Sequence, residues 1–167
     1  MQKILLLAGD FTEDYETMVP FQALSMLGYQ VDAVCPGKKA GEFIKTAIHD
    51  FEGDQTYTEK PGHLFKLTKT FDEVDFDEFD MVVLPGGMPG TLNLKEHEGL
   101  RNLIGEFDKK KKYLAAICAA PSILSELGIL KGRKACAYPS FEEGLDCAQV
   151  VHEAAVTDGH VTTGRGM

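Results

Sequence analysis

Apolar positions along the chain switch repeatedly between strand-like runs and helix-like faces. Residues 3–8 (KILLLA) form a short continuous apolar run that stops at Gly9-Asp10, the pattern of a strand buried on both faces and ending at an open edge. Val19, Phe21, Ala23, Leu24 and Leu27 then recur at roughly helical spacing, with Gly28 where a C-terminal cap belongs. Gln30–Val34 (QVDAV) predicts a second strand, stopped by Pro36-Gly37. Between Gly41 and Thr70, the breakers Gly53, Pro61 and Gly62 separate β-like pieces at 43–48 and 64–68, which predicts a hairpin-like insertion beside the main sheet. Met81–Leu84 (MVVL) is another buried strand and runs directly into Pro85-Gly86-Gly87-Met88-Pro89-Gly90. An amphipathic helix is expected over roughly 96–110, with Leu100, Leu103, Ile104 and Phe107 on one face and Lys109 to Lys112 at its negative end. Tyr113–Ile117 (YLAAI) is a further strand, after which Ala119-Ala120-Pro121 opens a helix to about Leu127. Such alternation predicts an α/β sheet.

With 167 residues, one domain is the expectation, and no apolar run reaches the roughly 18 residues of a membrane span. The N-terminus lacks the pattern of a signal peptide, so the expected location is cytoplasmic. A formal charge of −9 disfavours phosphate backbones as partners, and the lysine tetrad at 109–112 reads as a solvated helix end. Cys35, Cys118, Cys136 and Cys147 form no C-x-x-C pair and read as reduced thiols.

Cys118 stands apart because a strand ends on it and a helix opens just after it. An elbow of this kind holds a nucleophile over the C-terminal edge of a sheet, needs small neighbours, and puts the thiol at a helix N-terminus where thiolate is favoured. The same position also suits a cysteine packed as a small apolar residue. The Gly-rich segment 85–90 fits an anion nest, an oxyanion hole or a tight turn. The acidic stretch 71–80 (FDEVDFDEFD) carries Asp72, Asp75 and Asp77 but lacks the central Gly and terminal Glu of a calcium loop, so a solvated helix or turn is expected.

AAICAAPSIL (115–124) following LPGG (84–87), with an early DYETMVP (14–20), resembles the ThiJ/PfpI family, or DJ-1 superfamily, over nearly the whole chain. The resemblance implies a single domain over 1–167 with a flavodoxin-like three-layer sandwich, a mostly parallel sheet and a nucleophile elbow. It gives Cys118 the place of the reactive cysteine and Glu16 that of the carboxylic acid that hydrogen-bonds the thiolate and, in glyoxalase members, works as general acid and base. Gly86, Gly87 and the Ala119 amide fall where the family polarises a substrate carbonyl or stabilises an oxidised cysteine. A glutamate enclosed beside a thiolate is pushed towards its neutral form and can then donate a hydrogen bond.

The implied activity is that of a glyoxalase, or a protein or nucleotide deglycase, acting on methylglyoxal-type dicarbonyls or their adducts without cofactor or metal, in a homodimer. A redox-responsive stress or chaperone-like protein and an inactive flavodoxin-like module are the alternatives. Several residues depart from the family pattern. Ala119 stands where protease-like and many plant-type members have His, and Tyr138 in CAYPS (136–140) stands where some single-domain relatives carry His. A phenol is a poor base at neutral pH, so peptidase activity is not expected. Segments 9–24 and 46–63 resemble the plant-type glyoxalase branch, whereas the chain from Leu84 onward resembles the single-domain bacterial branch. His49 and His63 lack metal-ligand spacing and read as structural or solvent-facing. Relatives continue into a closing helix where this sequence reaches Thr162-Thr163-Gly164-Arg165-Gly166-Met167, so a partly uncovered sheet face is expected, and Arg165 reads as a surface residue.

Overall fold

The computed structural model describes residues 1–52 and 56–166. Its centre is β1 (Lys3–Leu7), where strand alternation divides one apolar run between two layers: Leu5 and Leu7 join the core on one face, Ile4 and Leu6 that on the other. With β2 (Gln30–Val34), β5 (Met81–Leu84), β6 (Tyr113–Ile117), β9 (Ala155–Asp158) and β10 (Val161–Gly164), it forms a six-stranded sheet of order β2-β1-β5-β6-β10-β9. Neighbours are parallel except β9, which runs antiparallel to β10 at one edge, and β7 (Lys134–Ala135) and β8 (Gln149–Val150) form a separate parallel pair.

Helix α1 (Asp14–Met26) and a hairpin of β3 (Phe43–Glu52) and β4 (Thr56–Lys66) cover one face. Their core contains Ala33, Ile44, Phe65 and Leu67, and Phe21 of α1 meets Phe65 edge to face at 5.1 Å between ring centroids. On the opposite face, α3 (Glu98–Lys109) buries Leu100, Leu103, Ile104 and Phe107, the stripe expected from its spacing, and α4 (Pro121–Glu126) buries Ile123 and Leu124. The flavodoxin-like three-layer sandwich is therefore present. The hairpin insertion is present as well, although Gly53, one of its expected breaks, lies outside the described residues.

One element departs from expectation. In place of a loop followed by a single helix, α2 (Met88–Glu96) begins inside the Gly-rich segment, with Pro89 in its first turn, and α3 starts afresh after His97. His97 separates them because it is extended (φ −80°, ψ 109°), and its Nδ1 accepts the Leu100 N–H at 3.2 Å as the cap of α3. The acidic stretch is solvated turn, as expected: two 3₁₀ turns, Phe71–Glu73 and Phe76–Glu78. Asp75 caps the Asp77 N–H and Asp77 pairs with Lys110, so these carboxylates are already engaged. No group of three potential metal ligands occurs among the described residues, and none of their helices is long and apolar enough to cross a membrane.

Candidate active site

The sheet places its candidate chemistry at the C-terminal ends of β1, β5, β6 and β10, where parallel α/β sheets hold ligands. Cys118 follows β6 directly at φ 63°, in the left-handed region that costs a residue with a β-carbon about 1–2 kcal/mol. Three backbone hydrogen bonds hold the bend. The Cys118 N–H donates to the Gly164 carbonyl at 2.9 Å, its own carbonyl accepts from the Tyr138 N–H at 3.0 Å, and the Ala120 N–H closes onto the Ile117 carbonyl at 3.1 Å.

The thiol is enclosed, since Cys118 is only 7% exposed. The backbone N–H groups of Gly87 and Ala119 are directed at its sulfur, and the Glu16 carboxyl hydrogen-bonds it from the first turn of α1. Glu16 is buried, and its Oε2 accepts the Gly86 N–H at 2.8 Å. Gly86 itself lies between the Glu16 and Cys118 side chains, where a β-carbon would stand 2.5 Å from Glu16 Oε2 and 2.6 Å from Cys118 Cβ. The close approach of acid and thiol thus requires glycine at this position.

Of the residues singled out by sequence, Cys118, Glu16, Gly86, Gly87 and Ala119 converge here. Tyr138 meets the site through its backbone, with its ring half-buried. The Gly86 N–H is given to Glu16, which leaves the Gly87 and Ala119 amides as the donors facing the sulfur. Burial, and after it the Glu16 charge, push the Cys118 thiol up to about 12, against the pull of those two amides. The thiolate expected at a helix N-terminus is thus outweighed, because α4 is only six residues long and the sulfur is desolvated beside the Glu16 carboxyl.

Two further acids in the same turn escaped sequence reasoning. Glu13, 1% exposed, is the N-cap of α1: its Oε2 accepts the Glu16 N–H at 2.8 Å while its own N–H donates to the Gly86 carbonyl at 2.9 Å. It therefore fixes both residues that fix each other. Burial drives Glu13 above its ordinary value, against the lowering from the Glu16 N–H and from His49. Asp14 faces the hairpin, accepting from Thr46 Oγ1 and lying 3.1 Å by either oxygen from Nδ1 of His63, whose ring is otherwise exposed. Burial alone would raise Asp14, but the Thr46 and His63 hydrogen bonds outweigh it and hold the carboxyl below its usual value. His63 thus serves as a structural partner, and Ala47 N–H to Thr12 carbonyl (2.9 Å) fastens the hairpin to the same turn. Arg165, expected at the surface, is half-buried and pairs with Glu142 at 3.1 Å. Glu13 carried no capping signal, because glutamate is not a favoured N-cap; Gly164 and Gly166 carried no signal beyond a turn.

These features define a thiol–carboxyl site on a flavodoxin-like scaffold. Sequence comparison matches residues 2–167 to the DJ-1/PfpI family. The chain belongs to that family. It is 49% identical over 170 residues to Protein DJ-1 homolog D of Arabidopsis thaliana, covering 98% of this chain and 43% of that protein. It is 34% identical over 168 residues to Deglycase PfpI of Pyrococcus furiosus, covering 98% and 89%. The plant-type and single-domain likenesses therefore both run the length of the chain. The crystal structure of Drosophila melanogaster DJ-1beta superposes with a TM-score of 0.83 at 26% identity, covering 99% of this chain and 82% of that one. The chain spans less than half the length of the Arabidopsis homologues D, E and F, at 43%, 41% and 41% of each.

Proposed function

We propose that residues 1–167 form one catalytic domain that converts methylglyoxal-type dicarbonyls to 2-hydroxy acids, with Cys118 as nucleophile and Glu16 as the acid and base. One observation carries this reading: the Glu16 carboxyl touches a Cys118 sulfur that already faces the Gly87 and Ala119 amides. The Pyrococcus relatives named deglycases, at 32–34% identity over 98% of the chain, support chemistry on the same carbonyl class.

In this reading, Glu16 takes the thiol proton as Sγ bonds to the aldehyde carbon and returns it to the resulting oxyanion, giving a hemithioacetal. The oxyanion forms beside the Gly87 and Ala119 amides, which are preorganised for negative charge. Glu16 then removes the proton from the former aldehyde carbon, producing an enediolate, and reprotonation at the neighbouring carbon gives a thioester of the 2-hydroxy acid. Water cleaves the thioester, releasing lactate from methylglyoxal and restoring the thiol.

The test is lactate formation from methylglyoxal without glutathione, for the unmodified chain, Cys118→Ser and Glu16→Gln. Turnover lost in both folded variants is the expected result; an inactive unmodified protein whose Cys118 accumulates as sulfinic acid would replace this reading with redox sensing. Pairing of two copies is supported by Tyr15, Val19 and Met26, which leave one side of α1 exposed and apolar. A monomer by sedimentation at micromolar concentration would remove it.

A further inference from the structure

The parallel strands that carry the thiol site at their C-terminal ends leave a second feature at the opposite end of the sheet. Ile4, Met81 and Tyr113 are register partners across β1, β5 and β6, and partners in register share a face. The row they form lies on the α1 side. Leu24 of α1 and Tyr29 just after it, joined by the Tyr29 N–H to Leu24 carbonyl bond at 3.2 Å, pack with Met81 against the core that contains Ile4. That cover does not reach the end of the row, where Tyr113 stays 54% exposed. A cavity of about 120 Å³ opens there, lined by the three strand residues, by Leu24 and Tyr29, and by Asp80.

The lining is electrically one-sided. Asp80 carries the only formal charge among the described residues around the cavity. Its Oδ2 accepts the Lys3 N–H at 2.9 Å, while the neighbouring ammonium groups turn elsewhere: Lys3 Nζ pairs with Glu78 at 2.9 Å, and Lys112 Nζ donates to the Asp77 and Phe79 carbonyls at 2.8 and 2.7 Å. A carboxylate and two tyrosines attract a cation through charge and ring quadrupole together. Ile4, Leu24 and Met81 make the rest of the surface apolar, so a bare ammonium would give up water without enough acceptors in return. Methyl groups on the nitrogen remove that demand and keep the charge. Size agrees with this chemistry, because an apolar cavity of about 150 Å³ admits benzene, and one slightly smaller admits a quaternary nitrogen with its carbons.

We propose that this cavity binds the headgroup of a small quaternary ammonium compound. It stands apart from the thiol site: Tyr113 opens β6 and Cys118 follows its end, a separation of roughly 15 Å at about 3.3 Å per residue. The binding is therefore independent of the reaction assigned to Cys118.

The experiment titrates the whole chain with choline and, separately, with its neutral isostere in which carbon replaces the ammonium nitrogen, following backbone amides by proton–nitrogen correlation spectra. Choline is expected to shift the amides of Ile4, Asp80, Met81 and Tyr113 in the millimolar range and to bind at least fivefold more tightly than the isostere. Asp80→Asn, which keeps an acceptor for the Lys3 N–H, is expected to weaken choline at least fivefold and leave the isostere unchanged. Tyr113→Leu keeps apolar bulk at an exposed position and is expected to weaken choline at least threefold, which tests the ring even where Asp80→Asn does not fold. Equal affinity for choline and the isostere would overturn the proposal. So would shifts centred on Gly87 and Cys118, no shift throughout the millimolar range, or undiminished choline binding in either folded variant.

Discussion

Adding one methyl group at either of two glycines should move stability in opposite directions. In Gly86→Ala the new β-carbon meets Glu16 Oε2 at 2.5 Å, Cys118 Cβ at 2.6 Å and the Ile117 carbonyl at 2.9 Å, two of these belonging to residues locked by the elbow. Overpacking of this kind costs about 1–3 kcal/mol. Relief by moving the Gly86 strand end would break its N–H to Glu16 hydrogen bond, and a hydrogen bond to a charged group contributes about 1.5–3 kcal/mol. By either route the expected loss is on the order of 1–3 kcal/mol, a sizeable part of the 5–15 kcal/mol typical of a domain. At Gly105, inside α3, a β-carbon meets nothing within 4 Å, so Gly105→Ala should gain about 0.8–1 kcal/mol from helix propensity. Urea titration followed by far-ultraviolet circular dichroism suits a chain without tryptophan. With a slope of about 2 kcal/mol/M, the Gly86→Ala midpoint should fall by roughly 0.5–1.5 M while that of Gly105→Ala rises by about 0.5 M. A Gly86→Ala protein within about 0.5 kcal/mol of the parent, the usual range of an exposed surface substitution, would refute the claim that glycine is required there.

Glu13→Ala should lose about 1–2 kcal/mol with the α1 cap, while Glu13→Gln keeps a side-chain acceptor and loses less. Because burial raises Glu13, its stabilising contribution is present below about 4.5 and is lost as pH rises through the folded value. Glu13→Gln should therefore gain on the parent between pH 4 and pH 7 in urea melts, and a constant difference would contradict the assigned shift. Asp14 has the opposite sign: its lowered value gives stability present above 3.8 and lost as pH falls through the folded value. The deficit of Asp14→Asn should accordingly shrink on acidification below pH 3.8, and a deficit that grows there would be inconsistent with the Thr46 and His63 bonds. In Glu16→Gln, loss of the neighbouring charge should lower the Cys118 titration and speed its iodoacetamide alkylation at pH 9 even as turnover disappears; slower alkylation would show that Glu16 does not oppose the thiolate.

The central strands were legible because residues 3–8 and Met81–Leu84 are apolar without alternation, which only a two-sided core explains. The elbow was legible because a strand, one cysteine, two alanines and a proline leave few other backbone paths. Helix α2 was not, since Pro89 and Gly90 lower local helix propensity. What the sequence does not display is the close packing of Gly90, where a β-carbon would stand 2.8 Å from the Thr12 nitrogen, and the burial of Leu94. Cys118 and Glu16 were found through motif likeness, whereas Glu13 was hidden by its type: glutamate is not a favoured N-cap, and its role depends on Gly86, which is distant in sequence.

Glu16, Gly86, Cys118 and Gly164 come from four well-separated stretches of the chain, yet each touches another of the group. No contiguous fragment can carry this site. While the chain is being synthesised, or after it has been opened, Cys118 is an ordinary thiol without the carboxyl and amides that surround it in the fold. The bond from the Cys118 N–H to Gly164 forms only when β10 has taken its place beside β6, so the elbow is completed by the last described strand of the sheet.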